Sequence, residues 1–177
     1  KRQVKEFSRE YRIFVPIENI PVSLKNAFIS AEDKNFYNHI GIDPTGILRA
    51  IIRNSYYFFS NKRPEGASTI TQQVAKNFLL NDELSLSRKV KEALLAIKID
   101  ATLSKSRILE LYLNQIYLGY GTYGVAAASN RYFKKSLEEL DLSEVSFLAT
   151  LPKAPSRYNP KKNYKKSFNR RNWVLKR

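Results

Sequence analysis

Residues 86–115 read LSRKVKEALLAIKIDATLSKSRILELYLNQ, and their periodicity decides the fold class. Apolar residues recur at three- and four-residue steps through Val90, Ala93, Leu94 and Ile97, which predicts a helix over Leu86–Thr102 with those four on its inner stripe. Ser104 suits an N-cap, and Ile108, Leu111, Tyr112 and Gln115 carry the same period into a second helix. Thirty residues with no strand alternation point to an all-α, mostly helical domain.

The flanks agree. Upstream, Leu24, Ala27, Phe28 and Ala31 mark a helix entered at Pro21 and running into Glu32-Asp33. Another follows Asp43-Pro44, where Ile47 to Phe59 is apolar nearly all round apart from Arg49 and Arg53. Ser60 to Ala67 contains Pro64 and Gly66 and reads as a loop; Ser68 then caps a helix over Thr69–Leu80. Downstream, Gly119, Gly121 and Gly124 break the chain before a small-residue helix over Val125–Phe133. Ser136-x-x-Glu139 and Asp141-x-x-Glu144 both have the capping-box pattern, and the second opens a helix through Leu151. A basic helix spans about Tyr164 to Lys176, and Tyr11–Val15 is a short extended segment. Few strands separate the helices, so a doubly wound sheet is not expected.

Composition narrows the chemistry. The 177 residues are 43% hydrophobic, enough for one packed domain. A net charge of +15 seeks a polyanion: nucleic acid, an anionic membrane or a phosphorylated substrate. The absence of Cys excludes disulfides, thiol catalysis and thiolate metal sites. No apolar run is long enough to span a bilayer. The chain opens abruptly at Lys1-Arg2 and stops inside a predicted helix, so a fragment of a longer protein is expected.

Three polar clusters stand out. In Glu32-Asp33-x-x-Phe36-x-x-His39-x-Gly41, two carboxylates end an apolar helix and the sole His follows. On composition alone this is first a solvated helix end with a structural His, since surface is the default place for acids; the alternative is a cleft whose acid serves as a base. In Gly66-x-Ser68-Thr69-Ile70-Thr71-Gln72-Gln73-x-x-Lys76-Asn77, hydroxyls and amides crowd a helix start, with Lys76 one turn on. That is an anion site or an ordinary capped helix with a polar face. Arg88-Lys89-x-x-Glu92 places a cation and an acid on one helix face, as a site element or as a surface pair worth a few tenths of a kcal/mol, on the order usual for helices.

Read together, these blocks resemble the peptidoglycan glycosyltransferases of family 51, as found in class A penicillin-binding proteins. The first matches EDxxFxxHxG, the second GxSTITQQxxKN and the third RKxxExxxA through Ala96. Two more follow in order: Ile108-Leu-Glu-x-Tyr112-Leu-Asn114 through Gly119, Gly121 and Gly124, and Glu144 through Leu151-Pro152-Lys153-Ala154-Pro155 to Tyr158-Asn159-Pro160. Val145-Ser146 stand where the family often has two alanines.

The resemblance implies a lysozyme-like, two-lobed fold with a smaller, membrane-touching lobe, to which Ile47–Phe59 contributes. It implies one glycosyltransferase domain over 1–177, with an N-terminal membrane anchor and a C-terminal transpeptidase domain beyond it. Location would be the outer, periplasmic face of the bacterial cytoplasmic membrane. The implied partners are lipid II, the growing lipid-linked glycan strand, the membrane surface and phosphoglycolipid inhibitors of the moenomycin type, with no nucleic acid. Glu32 is implied as general base and Glu92 as the second carboxylate, organising the leaving-group side. Lys76, Arg88 and Lys89 would hold phosphate charge. Ser68, Thr69, Gln72, Gln73 and Asn77 would position sugar and phosphate, while Asp33, Phe36, His39 and Asn114 complete or support the cleft. A divalent metal, Mg2+ or Mn2+, could bridge the pyrophosphate, with no organic cofactor; the sequence shows no metal-ligand spacing of its own. The rival readings are a lysozyme-like enzyme that cleaves glycan, which has no need of Lys76 and Arg88, and a nucleic-acid binder, for which no signature accompanies the charge.

Overall fold

The computed structural model describes residues 10–58, 66–78 and 86–177. Among these are eight α-helices: α1 (Val22–Glu32), α2 (Pro44–Phe58), α3 (Ile70–Phe78), α4 (Leu86–Thr102), α5 (Lys105–Gln115), α6 (Val125–Phe133), α7 (Leu142–Leu148) and α8 (Pro160–Leu175). Three short strands accompany them, β1 (Tyr11–Arg12), β2 (Tyr117–Gly119) and β3 (Thr122–Tyr123). The mostly helical expectation holds. Most of the predicted 60–67 loop and the end of the helix predicted to reach Leu80 lie outside the described residues.

The chain divides into two compact units, one of Lys1–Ala31 with Leu113–Arg177 and one of Glu32–Tyr112, so the boundaries fall within α1 and α5. In the first, β3 pairs with β1 in parallel and with β2 antiparallel. The β2–β3 connection requires positive φ, which Gly119 (93°) and Gly121 (72°) adopt, with Tyr120 (51°) between them. Gly124 is a tighter case: φ is +83° and a Cβ would lie 2.6 Å from the Asn114 carbonyl oxygen. Only glycine fits there, and α6 starts at the next residue. Leu24, Phe28, Leu118, Val125, Ala128, Val145, Leu148 and Leu151 are fully or nearly fully buried core residues of this unit. The Asp141/Glu144 capping box forms in full at the start of α7, but that helix ends at Leu148, short of the predicted Leu151. The Ser136/Glu139 pattern makes a turn with one reciprocal bond, Ser136 N–H to the Glu139 carboxylate (2.7 Å), and opens no helix. Asn159 caps α8, whose regular part begins after a non-helical Asn163.

In the second unit, α3 packs on α4, and Phe36, Ile70, Val74, Ala75, Ala96, Ile108, Leu109 and Tyr112 are buried. The inner stripe of α4 differs from the predicted one. Val90 and Leu94 are 59% and 63% exposed, whereas Glu92 and Ala96 are buried. The lack of a side chain at Gly41 (φ +94°) is what permits close approach: a Cβ there would lie 2.4 Å from the Ala96 carbonyl oxygen. Backbone thus meets backbone at Ala96, while Val90 and Leu94 are left facing outward and Ala93 and Ile97 are half-buried. Helix α2 is also turned outward, with Leu48, Ile51, Ile52 and Tyr56 at least half exposed and Ala50 buried. At its start the Asp43 carboxylate accepts from the Thr45 hydroxyl (2.6 Å) and the Asn35 amide (3.2 Å). Burial alone would raise this group, but those bonds and the Gly46 N–H outweigh it and lower its pKa.

Candidate active site

The polar clusters centred on Glu32, Ser68–Asn77 and Arg88–Glu92 all fall in the Glu32–Tyr112 unit. Helix α1 ends at Glu32 because Asp33 leaves the helix to serve α3. One oxygen of the buried Asp33 carboxylate accepts from the Ile70 backbone N–H (2.9 Å) and pairs with His39 Nε2 (2.8 Å). The anion expected at this helix start is therefore the protein's own carboxylate, placed where unsatisfied N–H groups and the helix dipole favour it.

Thr69, not Ser68, is the N-cap of α3. Its hydroxyl accepts from Gln72 N–H (3.0 Å), and its own N–H donates to Gln72 Oε1 (3.0 Å), a reciprocal capping box. Its hydroxyl also donates to the Gly41 carbonyl (2.6 Å). Displaced from the cap, Ser68 accepts from Lys89 Nζ at 2.9 Å. The same ammonium pairs with Glu92, whose side chain is 3% exposed. A buried carboxylate needs such a partner, and Lys89, three residues back on α4, supplies it. Arg88, the partner expected from the four-residue spacing, is half-buried beside it.

Gln73 Nε2 donates to Glu32 Oε2 (3.2 Å). Three residues further along α3, Lys76 is exposed, as is Asn77, and the i,i+3 spacing puts Lys76 on the Gln73 face. Glu32, Gln73 and Lys76 are thus an acid, an amide that orients it and a cation, linked through one short helix. Beneath them, burial pushes the Tyr112 phenol far up, and the Glu32 and Asp33 carboxylates nearby add to the rise.

Several residues expected to meet substrate lie inside instead. Phe36 is wholly buried and packs edge-on against Tyr37 and His39. Asp33, His39, Thr69 and Gln72 are buried with their polar atoms bonded to one another or to backbone. Asn114 belongs to the other unit, where its amide clamps the Val15 backbone at both N–H and C=O, each at 2.8 Å. Glu32, Gln73, Ser68, Arg88 and Lys89 are partly or largely exposed, as are Lys76 and Asn77. Three supporting residues escaped the sequence reading as site members: Thr71, Asp100 and Lys105. Thr71 and Lys105 both donate to Asp100 Oδ2, at 3.1 and 2.7 Å, and no local spacing announces that triad. Among the described residues no three His, Asp or Glu side chains converge into a metal cage.

Comparison with known proteins places this arrangement in context. The Transglycosylase family model matches residues 1–177. Penicillin-binding protein 1A of Rickettsia typhi is 56% identical over 174 residues, covering 98% of this chain and 22% of that protein. The Escherichia coli K12 protein of the same name is 49% identical over 174 residues, covering 98% and 20% respectively. The crystal structure of penicillin-binding protein 1A from Haemophilus influenzae superposes with a TM-score of 0.54 at 32% identity, over 95% of this chain and 15% of that one. The chain spans about a fifth of the length of the curated relatives it matches.

Proposed function

The chain belongs to the transglycosylase family, and from that membership we propose that it is a peptidoglycan glycosyltransferase that polymerises lipid II into β-1,4 glycan strands. The growing strand is the donor, held through its anomeric carbon to a polyprenyl pyrophosphate, and the incoming lipid II attacks through a sugar hydroxyl with inversion. The observation that carries this reading is the Glu32–Gln73–Lys76 arrangement: an acid oriented by an amide on the helix that also bears an exposed cation.

The chemistry asks for little more. Glu32 takes the hydroxyl proton as the glycosidic bond forms. The carbon–oxygen bond to the pyrophosphate breaks, and its electrons leave on a stable anion. A strong general acid is therefore unnecessary, unlike in glycoside hydrolysis. Fixed positive charge on Lys76, Arg88 and Lys89 offsets the charge that develops on the diphosphate. Glu92 holds Lys89 in place against Ser68. A divalent metal such as Mg2+ or Mn2+, held largely by the pyrophosphate oxygens, would add to the same charge compensation.

The outward apolar face of α2 supports a membrane-surface role. Leaving Leu48, Ile51 and Ile52 half exposed or more forfeits roughly 1 kcal/mol for each side chain, which insertion at a lipid interface recovers, and Arg49 and Arg53 on the same helix suit lipid phosphates. No helix among the described residues is long and apolar enough to cross a membrane. The proposed place is the outer face of the cytoplasmic membrane, where lipid II is presented, and a moenomycin-type phosphoglycolipid would compete for the same cations.

The test is incubation with purified lipid II in detergent and sizing of the product, alongside digestion of isolated sacculi. Glycan polymer with released polyprenyl pyrophosphate is expected. Soluble sacculus fragments without polymer would favour the lysozyme-like reading.

A further inference from the structure

A closed ring of hydrogen bonds runs behind the candidate site. Ile70 N–H donates to Asp33 Oδ2 (2.9 Å), and His39 Nε2 meets the same oxygen at 2.8 Å. Lys105 Nζ donates to the His39 carbonyl (2.6 Å) and to Asp100 Oδ2 (2.7 Å). Thr71 Oγ1 donates to that Asp100 oxygen (3.1 Å), and Thr71 follows Ile70 in the chain. The ring therefore joins the end of α1, the 33–43 loop, the first turn of α3, the last turns of α4 and the first residue of α5.

Its geometry fixes a tautomer. Gly41 N–H donates to His39 Nδ1 at 3.1 Å, so Nδ1 carries the lone pair and the ring proton sits on Nε2, pointing at Asp33. His39 is thus a neutral spacer of defined orientation. Lys105 is the only ammonium in the ring, its side chain is 21% exposed, and it lies 5.0 Å from the centre of the Phe36 ring.

We propose that Lys105, held by Asp100, is a positioning residue for the glycosyl-transfer step: it closes the ring that sets the first turn of α3 against the end of α1, and through it the Gln73–Glu32 contact. The inference rests on the glycosyltransferase reading. Asp33 is the residue after Glu32, and Gln73 lies on the first turn of α3, so the ring grips both sides of the proposed base. Without the ammonium, the His39 carbonyl and the Asp100 carboxylate each lose a donor, and the two sides are free to drift apart. Misplacement by about 1 Å is enough to lower a chemical step about 100-fold.

The experiment compares wild type, Lys105→Met, Lys105→Arg and Asp100→Asn on lipid II in detergent, with kcat and KM read separately and a melting curve for each. Lys105→Met should lower kcat by about 10- to 100-fold with little change in KM, and Lys105→Arg should restore most of it. Because His39 is the only histidine, nitrogen-15 histidine labelling gives the readout that does not depend on turnover. Wild type should show a single neutral tautomer protonated on Nε2, and Lys105→Met should show shifted or exchange-broadened signals while the protein remains folded. Wild-type kcat in a folded Lys105→Met variant, or histidine signals identical to wild type, would overturn the proposal. Failure of wild type itself to polymerise lipid II would sink the glycosyltransferase reading instead, and the histidine spectra would still decide whether Lys105 closes the ring.

Discussion

The two units bury polar groups in opposite ways. In the unit containing Leu113–Arg177, the buried polar residues among those described are neutral hydroxyls and amides: Asn114, Thr122, Ser129, Ser146, Thr150, Asn159 and Ser167. Most serve the backbone directly, as when Ser129 donates to the Lys135 carbonyl (2.7 Å) and Asn159 caps α8. In the Glu32–Tyr112 unit the buried set includes Asp33, His39, Asp43, Glu92 and Glu110. Buried ionisable groups are costly to fold around and depend on their partners. Their concentration in one unit accords with the proposal that this unit carries the site while the other frames it.

That contrast is open to attack by substitution, and the largest effect is expected at the proposed base. Glu32→Gln should lower lipid II polymerisation by about 10²–10⁴-fold with an unchanged melting temperature; turnover near wild type would remove Glu32 from the mechanism. Next comes Asp33→Ala, which strands the Ile70 N–H and His39 Nε2–H. Each buried donor left unmade costs about 1–3 kcal/mol, so urea denaturation should register a loss of about 3 kcal/mol together with loss of activity.

The frame should behave differently. Gly124→Ala forces a side chain into positive φ and against the Asn114 carbonyl, for a loss of about 1–3 kcal/mol with normal activity per folded molecule. A kcat defect there that survives correction for folded protein would blur the division between units. Asp141→Ala, which removes the capping box of α7, should cost about 1 kcal/mol and leave kcat unchanged. The smallest effect concerns acid stability. The pKa of Asp43 is lowered in the fold, so its contribution is fully present above the ordinary aspartate range and fades as pH falls through the lower folded value. Asp43→Asn should flatten that acid-side slope in denaturation series run across pH, and an unchanged slope would mean the Thr45, Gly46 and Asn35 bonds do not favour the ionised form.

Legibility in the sequence followed the range of the interactions. Periodicity and capping residues placed α4 and α6 at their observed bounds and found the α7 capping box, because helix signals act within four residues. The same local reasoning misjudged which face of α4 turns inward. Val90 and Leu94 satisfy the helical period, yet the packing of α3 and the Gly41 backbone chose the Glu92–Ala96 face. It also named Ser68 as the cap where Thr69 serves, since either hydroxyl suits the position and the Gly41 carbonyl rewards only one. The site's carboxylates and cations were visible as motif blocks. That Asp33, Phe36 and His39 are buried was not, because burial depends on segments distant in the chain.

By itself the sequence determined the helical class, the element order and the motif blocks that carry the family, since propensity, capping and motif spacing are written in neighbouring residues. Tertiary structure decided which polar groups are buried and whom they hold. Asp33 finds Ile70 37 residues away and Lys105 reaches His39 across 66, and contacts at such separation exist only after the chain has folded back on itself.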